Sequence, residues 1–194
     1  MVKKIILILF AFQISAIITS CCQEDYYVQW NDFAIKEKNI VDNSIVVANS
    51  RININNYKIE IYLKDTTYFI ANLGIHLINI ANATSCGENL IKINDLKRIK
   101  ILTVFDINDQ YPANSDISDF FIAKIPDLNI SNLSLQDLIK TINNHNDFYD
   151  RKNEFDLTLN GQLTINKLSK FRMIFEFTDT TIISRETTGI ELYQ

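Results

Sequence analysis

The sequence has few of the residues on which common catalytic motifs depend. Of its 194 residues, four are Gly, two are Pro, three are Cys and two are His. So few glycines leave no Gly-rich loop to cradle a phosphate and no G-x-S-x-G nucleophile turn. Three cysteines and two scattered histidines do not supply the four closely spaced ligands of a structural zinc site. We therefore expect a protein that is not an enzyme.

Charge and hydropathy limit the partners of the chain. The 19 basic and 23 acidic residues give a formal net charge of −4. This balance argues against nucleic acid, because phosphate binding needs a clustered basic face. The basic residues Lys97, Arg98 and Lys100 surround an isoleucine, which favours a solvated strand face. No apolar stretch beyond the amino terminus is long enough to span a bilayer as a helix.

The first 21 residues have the parts of a secretory signal. Two lysines are followed by an apolar region at residues 5–18, which is too short to cross a bilayer core of roughly 30 Å. This region ends in Ile18-Thr19-Ser20-Cys21, which resembles the lipobox of bacterial lipoproteins. The resemblance implies that residues 1–20 are a signal peptide and that the thiol of Cys21 carries the lipid that binds the membrane.

The residues after Cys21 indicate a location. Residues 21–25 form a short acidic tether, which resembles the surface-export signal of Bacteroidota lipoproteins. We therefore predict an outer-membrane lipoprotein exposed at the cell surface, with the periplasmic face as the alternative. If Cys21 is lipidated, Cys22 and Cys86 remain as an even pair in an oxidising compartment. The sequence leaves two alternatives open: a disulfide between Cys22 and Cys86, or two free thiols.

Apolar and polar residues alternate along much of the chain from residue 26 onward, as in half-buried strands. The alternation is clearest at residues 57–63, 99–107, 155–159 and 171–177, with turns predicted at Asn160-Gly161 and at residues 178–180. Because Gly and Pro are rare, we expect Asn to supply many turn conformations.

Helical signals are few. Ser134 and Asp137 form a capping box that predicts a helix over residues 134–143. A shorter helix is predicted to begin at Ser115 or Asp116. Residues 26–194 are therefore predicted to form one mainly β domain, a single immunoglobulin-like or related antiparallel β-sandwich with one or two short helices.

The densest polar segment lies at residues 106–119. Hard cations prefer several oxygen ligands, so its acidic and amide side chains are candidates for a weak calcium site, the one cofactor considered; the candidates are Asp106, Asn108, Asp109 and Asp116. The D-x-N-D-x-x-P pattern also resembles the calcium-binding linker of cadherin repeats. An Asx-rich turn that caps the next element explains the same residues without a metal.

The same segment carries a family resemblance. The pattern D-x-N-D-x-x-P-A-x-S-D is similar to a segment of uncharacterised Bacteroidota lipoproteins of about 200 residues. Gly commonly occupies the position of Asn114 in that segment, which implies a backbone with positive φ. The family has no assigned activity, so the resemblance implies only a cellular location and a fold.

Two Asp-Thr-Thr triplets resemble the O-glycosylation acceptor used in this phylum. Thr66 and Thr180 are the candidate acceptors, and both triplets fall at predicted turns.

These observations favour a lipid-anchored envelope protein that acts as a non-catalytic binding or structural module at the cell surface. Its edges or loops would contact a glycan, a peptide or another envelope protein. Two alternatives remain open: an envelope hydrolase that uses acids of the Asp106 to Asp119 loop, and a calcium-dependent adhesion module.

Overall fold

The computed structural model describes residues 24–69, 88–144, 153–160, 163, 165 and 167–194. The predicted signal peptide, the lipid site Cys21 and the pair Cys22 and Cys86 lie outside these residues and stay predictions. The chain divides into two compact units, Met1–Gln29 with Thr67–Ile93 and Trp30–Thr66 with Asn94–Gln194.

Most described residues lie in β-strands. In chain order the strands are β1 (Glu24–Asn39), β2 (Arg51–Asn53), β3 (Tyr57–Phe69), β4 (Glu88–Lys92), β5 (Leu96–Thr103), β6 (Phe121–Ile125), β7 (Ile130–Leu133), β8 (Glu154–Leu159), β9 (Lys167–Ser169), β10 (Phe171–Phe177), β11 (Ile182–Glu186) and β12 (Ile190–Tyr193). One α-helix, α1 (Leu135–Asn144), follows β7, and single 3-10 turns occur at Ile54–Asn56, Ser118–Phe120 and Pro126–Leu128.

The described strands of the larger unit form three sheets. The main sheet has the strand order β1-β3-β8-β6-β7, and the two smaller sheets have the orders β11-β10-β5 and β2-β12-β9. In the smaller unit, the start of β1 pairs with β4, and Glu24 and Asp25 of the predicted tether already belong to this pair. The prediction of a mainly β sandwich with a short helix is confirmed. It is not wholly antiparallel, because the pairs β1–β4 and β2–β12 are parallel.

The core of the larger unit is built from the apolar faces of these strands. All of the alternate residues Phe171, Met173, Phe175 and Phe177 of β10 are buried. The ring of Phe175 lies 4.1 Å from that of Phe33, centroid to centroid. Burial of each such side chain contributes about 1.5–3 kcal/mol. The predicted strands at residues 57–63, 155–159 and 171–177 are therefore confirmed.

Two predicted elements differ from the structure around the end of β5. The strand predicted over residues 99–107 ends at Thr103, and Phe105 is 43% exposed. The chain turns here because the hydroxyl of Thr103 donates to the Pro112 carbonyl at 2.7 Å and its backbone N–H donates to Ser115. The helix predicted at Ser115 or Asp116 is only the 3-10 turn Ser118–Phe120.

The two predicted turns have different outcomes. The turn at residues 178–180 is confirmed, because it joins the antiparallel strands β10 and β11. The hairpin predicted at Asn160-Gly161 is wrong in its pairing, although Gly161 itself lies outside the described residues. Both edges of β8 are already occupied by β3 and β6, and β9 pairs with β12 instead.

Asparagine replaces glycine at the left-handed positions, as expected. Five asparagines have φ between 53° and 67°; they are Asn43, Asn49, Asn114, Asn129 and Asn132. The positive φ implied for Asn114 is therefore confirmed. Asn tolerates this conformation better than other residues with a Cβ.

Helix α1 begins as its sequence predicts. The Ser134 hydroxyl accepts a hydrogen bond from the backbone N–H of Asp137 at 3.1 Å and donates to its carboxylate at 2.7 Å. Leu135, Leu138 and Ile142 are buried on one side. Within the described residues, no helix combines the length and hydropathy needed to cross a membrane.

The side chain of Asn94 joins two distant parts of the larger unit. It is 2% exposed, accepts from the backbone N–H of Trp30 and donates to the Trp30 carbonyl, both at 2.9 Å.

We expect Asn94→Ala to lower the free energy of unfolding by about 3 kcal/mol, because the buried backbone N–H and carbonyl of Trp30 lose their partner. Urea unfolding measures this. The control Asn132→Gly, at an exposed left-handed position, should change it little, and equal losses would contradict the assignment.

Candidate functional site

A group of charged side chains lies on the polar face of the main sheet. Strands β3 and β8 are antiparallel neighbours, with Glu60 opposite Asp156 and Tyr62 opposite Glu154. Side chains alternate along each strand, so these four residues share the face opposite Ile59 and its apolar neighbours. Carboxylate oxygens of Glu60, Glu154 and Asp156, here called the carboxylate cluster, lie within 4.8 Å of one another.

Glu60 is the centre of the ion pairs in the cluster. Its two oxygens are 2.9 Å from the ammonium groups of Lys38 and Lys58, respectively. The hydroxyl of Tyr62 donates to it at 2.8 Å, and Lys58 also lies 3.3 Å from Asp156. Glu60 is 3% exposed and Asp156 is 7% exposed. The network therefore joins β1, β3 and β8 with buried charges.

The electrostatic environment shifts the pKa values of the two buried acids in opposite directions. Burial raises the pKa of Glu60, but hydrogen bonds from Lys58, Lys38 and Tyr62 outweigh it and bring this pKa down to about 2. Burial also raises the pKa of Asp156, and here the charge of Lys58 does not reverse the effect. Burial and the bond to Glu60 raise the pKa of the Tyr62 hydroxyl. Glu60 is thus firmly ionised, whereas Asp156 binds a proton more readily than an exposed Asp.

The carboxylate cluster does not suit a divalent cation. Calcium and magnesium need several oxygen ligands free to coordinate. Both oxygens of Glu60 already contact ammonium groups, and Lys58 bridges Glu60 and Asp156. A divalent ion would have to sit beside these two positive charges at a buried site, where Coulomb repulsion is strong.

The side chains of the Asp106 to Asp119 loop act as turn acceptors. Asp106 accepts a backbone N–H at 2.6 Å, Asn108 accepts two at 3.0 and 2.9 Å, and Asp116 accepts that of Ser118 at 3.0 Å. Among the described residues, no three acidic side chains of this loop, Asp109 included, meet the 4.8 Å spacing of the carboxylate cluster. The bonds of Asn108 and Asp116 span two residues, as expected of Asx turns, whereas that of Asp106 crosses the loop to Ala113. The calcium and hydrolase alternatives gain no support from it.

The segment between β1 and β2 exposes aliphatic side chains. Residues 38–47, here called the Val41 hairpin, contain Ile40, Val41, Ile45 and Val47, which are 46%, 74%, 69% and 65% exposed. This pattern was not anticipated, because a run of isoleucine and valine normally indicates a core strand.

Hydrogen bonds fix the conformation of the Val41 hairpin. The backbone N–H of Asn39 donates to the Ser44 carbonyl at 3.0 Å, and that of Ile40 donates to the Asn56 carbonyl at 2.8 Å. At the tip, the Asp42 carboxylate accepts from the backbone N–H of Ser44 at 3.1 Å. The aliphatic side chains are thus presented by an ordered turn.

An open cleft of about 510 Å³ lies beside β9 and the end of β5. It is lined by Val104, Phe105, Asp106, Ala113, Lys167 and Leu168. Phe105 and Leu168 are 43% and 42% exposed. Its size lies within the usual range of ligand pockets, roughly 300–1,000 Å³. Sequence reasoning missed the cleft because it continued β5 through Phe105.

The two candidate glycosylation sites are both exposed. Thr66 lies within β3, not at the predicted turn, and its hydroxyl accepts from the side-chain amide of Asn31. Thr180 lies at the turn of the β10–β11 hairpin, with φ of 71°.

The carboxylate cluster was not singled out from the sequence. Its signal was the polar half of two alternating strands, Lys58-x-Glu60-x-Tyr62 and Glu154-x-Asp156. No protein-family model and no curated protein matches the chain.

The ion pairs of Glu60 generate a stability prediction. We expect Glu60→Gln to lower the free energy of unfolding at pH 7 by about 3 kcal/mol, because Lys38 and Lys58 lose their buried partner. The depressed pKa of Glu60 contributes stability above the unfolded value of about 4.3, and this is lost as the pH falls towards 2. Urea unfolding should therefore show a smaller difference in unfolding free energy between the wild type and Glu60→Gln at pH 3 than at pH 7.

The matched control for this prediction is Glu176→Gln. Glu176 pairs with Lys100 at 3.4 Å on a partly exposed strand face, and such pairs contribute less than about 1 kcal/mol. A loss at Glu60 no larger than the loss at Glu176 would contradict the central role of Glu60.

Proposed function

We propose that this chain is a lipid-anchored envelope protein that acts as a non-catalytic, protein-binding module at the cell surface. The sequence of residues 1–25 supports the lipid anchor and the location at the cell surface. The observation that carries the binding role is the Val41 hairpin, which holds four exposed aliphatic side chains in an ordered turn.

Exposure of this kind supports a contact with a partner. Single apolar side chains on a surface are ordinary, but several gathered on one feature mark interaction sites. Ile40, Val41, Ile45 and Val47 are all at least 46% exposed within eight residues. Because the turn is already ordered, a partner would bind it with little further loss of conformational entropy.

The chemistry of the Val41 hairpin favours a protein as its occupant. Residues 38–47 contain no aromatic ring on which a sugar could stack. The tip carries the carboxylate of Asp42 between the aliphatic residues, and burial of that charge in a bilayer would be costly. An apolar groove on another envelope protein fits best.

Two arrangements support the non-catalytic part of the proposal. Glu60 and Asp156 are buried and paired with ammonium groups, which shields both carboxylates from solvent. The acids Asp106 and Asp116 accept hydrogen bonds from their own loop.

Site-specific photocrosslinking in cells tests the proposal. Val41→p-benzoylphenylalanine should form one discrete adduct with another envelope protein, because residue 41 is 74% exposed, the most exposed of the four aliphatic residues. Ile45→Asp in the same chain should abolish the adduct without changing the unfolding midpoint. The matched control is the photoreactive residue at Ile182, which is 66% exposed on β11 and should form none.

The other outcomes would overturn this assignment. An adduct of twice the mass of the chain would indicate a second copy, and labelled lipid would indicate insertion into the membrane. An adduct that survives Ile45→Asp, or none at all, would remove the Val41 hairpin as the binding surface.

A further inference from the structure

One buried acid of the carboxylate cluster is incompletely satisfied. Oδ1 of Asp156 is buried without a hydrogen-bond partner, while Oδ2 lies 3.3 Å from Lys58. Glu154 makes no ion pair with the described residues, and its neighbour across the strand pair is the Tyr62 hydroxyl. A buried acceptor without a donor is unfavourable, and so are adjacent like charges.

The surrounding lysines do not supply a hydrogen bond to Oδ1 of Asp156. Lys38 pairs with Glu60, Lys58 is shared by Glu60 and Asp156, and the ammonium of Lys36 lies 4.5 Å from the centre of the Tyr62 ring. On the other side of β8, Lys124 is the register partner of Asp156. The groups that face Asp156 are Lys36 and Lys38 on β1, Lys58, Glu60 and Tyr62 on β3, Glu154 on β8 and Lys124 on β6.

We propose that the carboxylate cluster is a proton-binding site, in which Asp156 carries one proton on Oδ1 and donates it toward Glu154. The proton comes from solvent and converts the unpartnered acceptor into a donor. It also removes one of the adjacent negative charges while Oδ2 keeps its contact with Lys58. Glu154 is the acceptor because both oxygens of Glu60 already contact lysines.

The electrostatics of Asp156 agree with this arrangement. Burial raises its pKa, and the opposing charges of Lys58 and Lys124 do not cancel that effect. A folded-state pKa above the unfolded value stabilises the protein fully below the unfolded pKa, and this contribution is lost as the pH rises through the folded pKa. Glu60 has the opposite dependence, because its pKa is lowered to about 2. Together they let the β3–β8 pair keep its stability on mild acidification.

Carbon-13 NMR of the side-chain carboxyl groups in the full chain tests the proposal directly. The titration midpoint of Asp156 should lie above the ordinary Asp value of about 3.9. Glu154→Gln should lower that midpoint, because it removes the neighbouring negative charge. The control Glu176→Gln, on β10, should leave it unchanged. A midpoint at or below 3.9, or one that Glu154→Gln does not move, would overturn the proposal.

Unfolding measurements between pH 4 and pH 7 give an independent test. Asp156→Asn mimics the neutral acid, so the ratio of its folding constant to that of the wild type should rise with pH, by at most tenfold per pH unit for one proton. Asp127→Asn, at an exposed site, should show no such rise. If millimolar calcium instead raises the melting temperature of the wild type but not of Asp156→Asn, the site binds a cation and the proton assignment is wrong.

Discussion

The structure depends on the pairing of β3 with β8, two central strands that bury apolar side chains on one face and the charged pair Glu60 and Asp156 on the other. Ile59 and Leu157 face each other in the core, while Glu60 and Asp156 face each other, also buried, on the polar side. A slip of one residue would place acids in the apolar core and isoleucine among the lysines. The bridging ammonium of Lys58 therefore supports one register, from which β1 and β6 extend the sheet.

This sheet also carries the proposed binding surface. The Val41 hairpin leaves β1 directly after Glu37, a carboxylate that is 6% exposed. The hydroxyl of Tyr57 donates to Glu37 at 2.7 Å, the backbone N–H of Thr188 also donates to its carboxylate, and that of Val46 donates to its carbonyl at 2.9 Å. The base of the hairpin is thus held by hydrogen bonds to both the carboxylate and the backbone carbonyl of Glu37.

Local patterns predicted the elements whose side chains simply alternate or cap. The strand at residues 171–177 and the capping box at Ser134 required no knowledge of distant contacts. The end of β5 could not be predicted in this way. The Thr103 hydroxyl donates to a carbonyl nine residues further along the chain, and this bond ends the strand although the alternation of apolar residues continues through Phe105. The burial of Glu60 was likewise invisible, since it depends on strands that are neighbours only in the folded sheet.

The central functional claim is that the lipid holds this module on the outside of the cell. Protease shaving of intact cells that express a tagged chain tests it most directly, with lysed cells and a Cys21→Ala variant beside them. If the lipid anchors the domain at the cell surface, intact cells lose the wild-type domain and the Cys21→Ala variant leaves the membrane fraction. Protection of the wild-type domain until the cells are lysed would contradict it and would place the module on the periplasmic face.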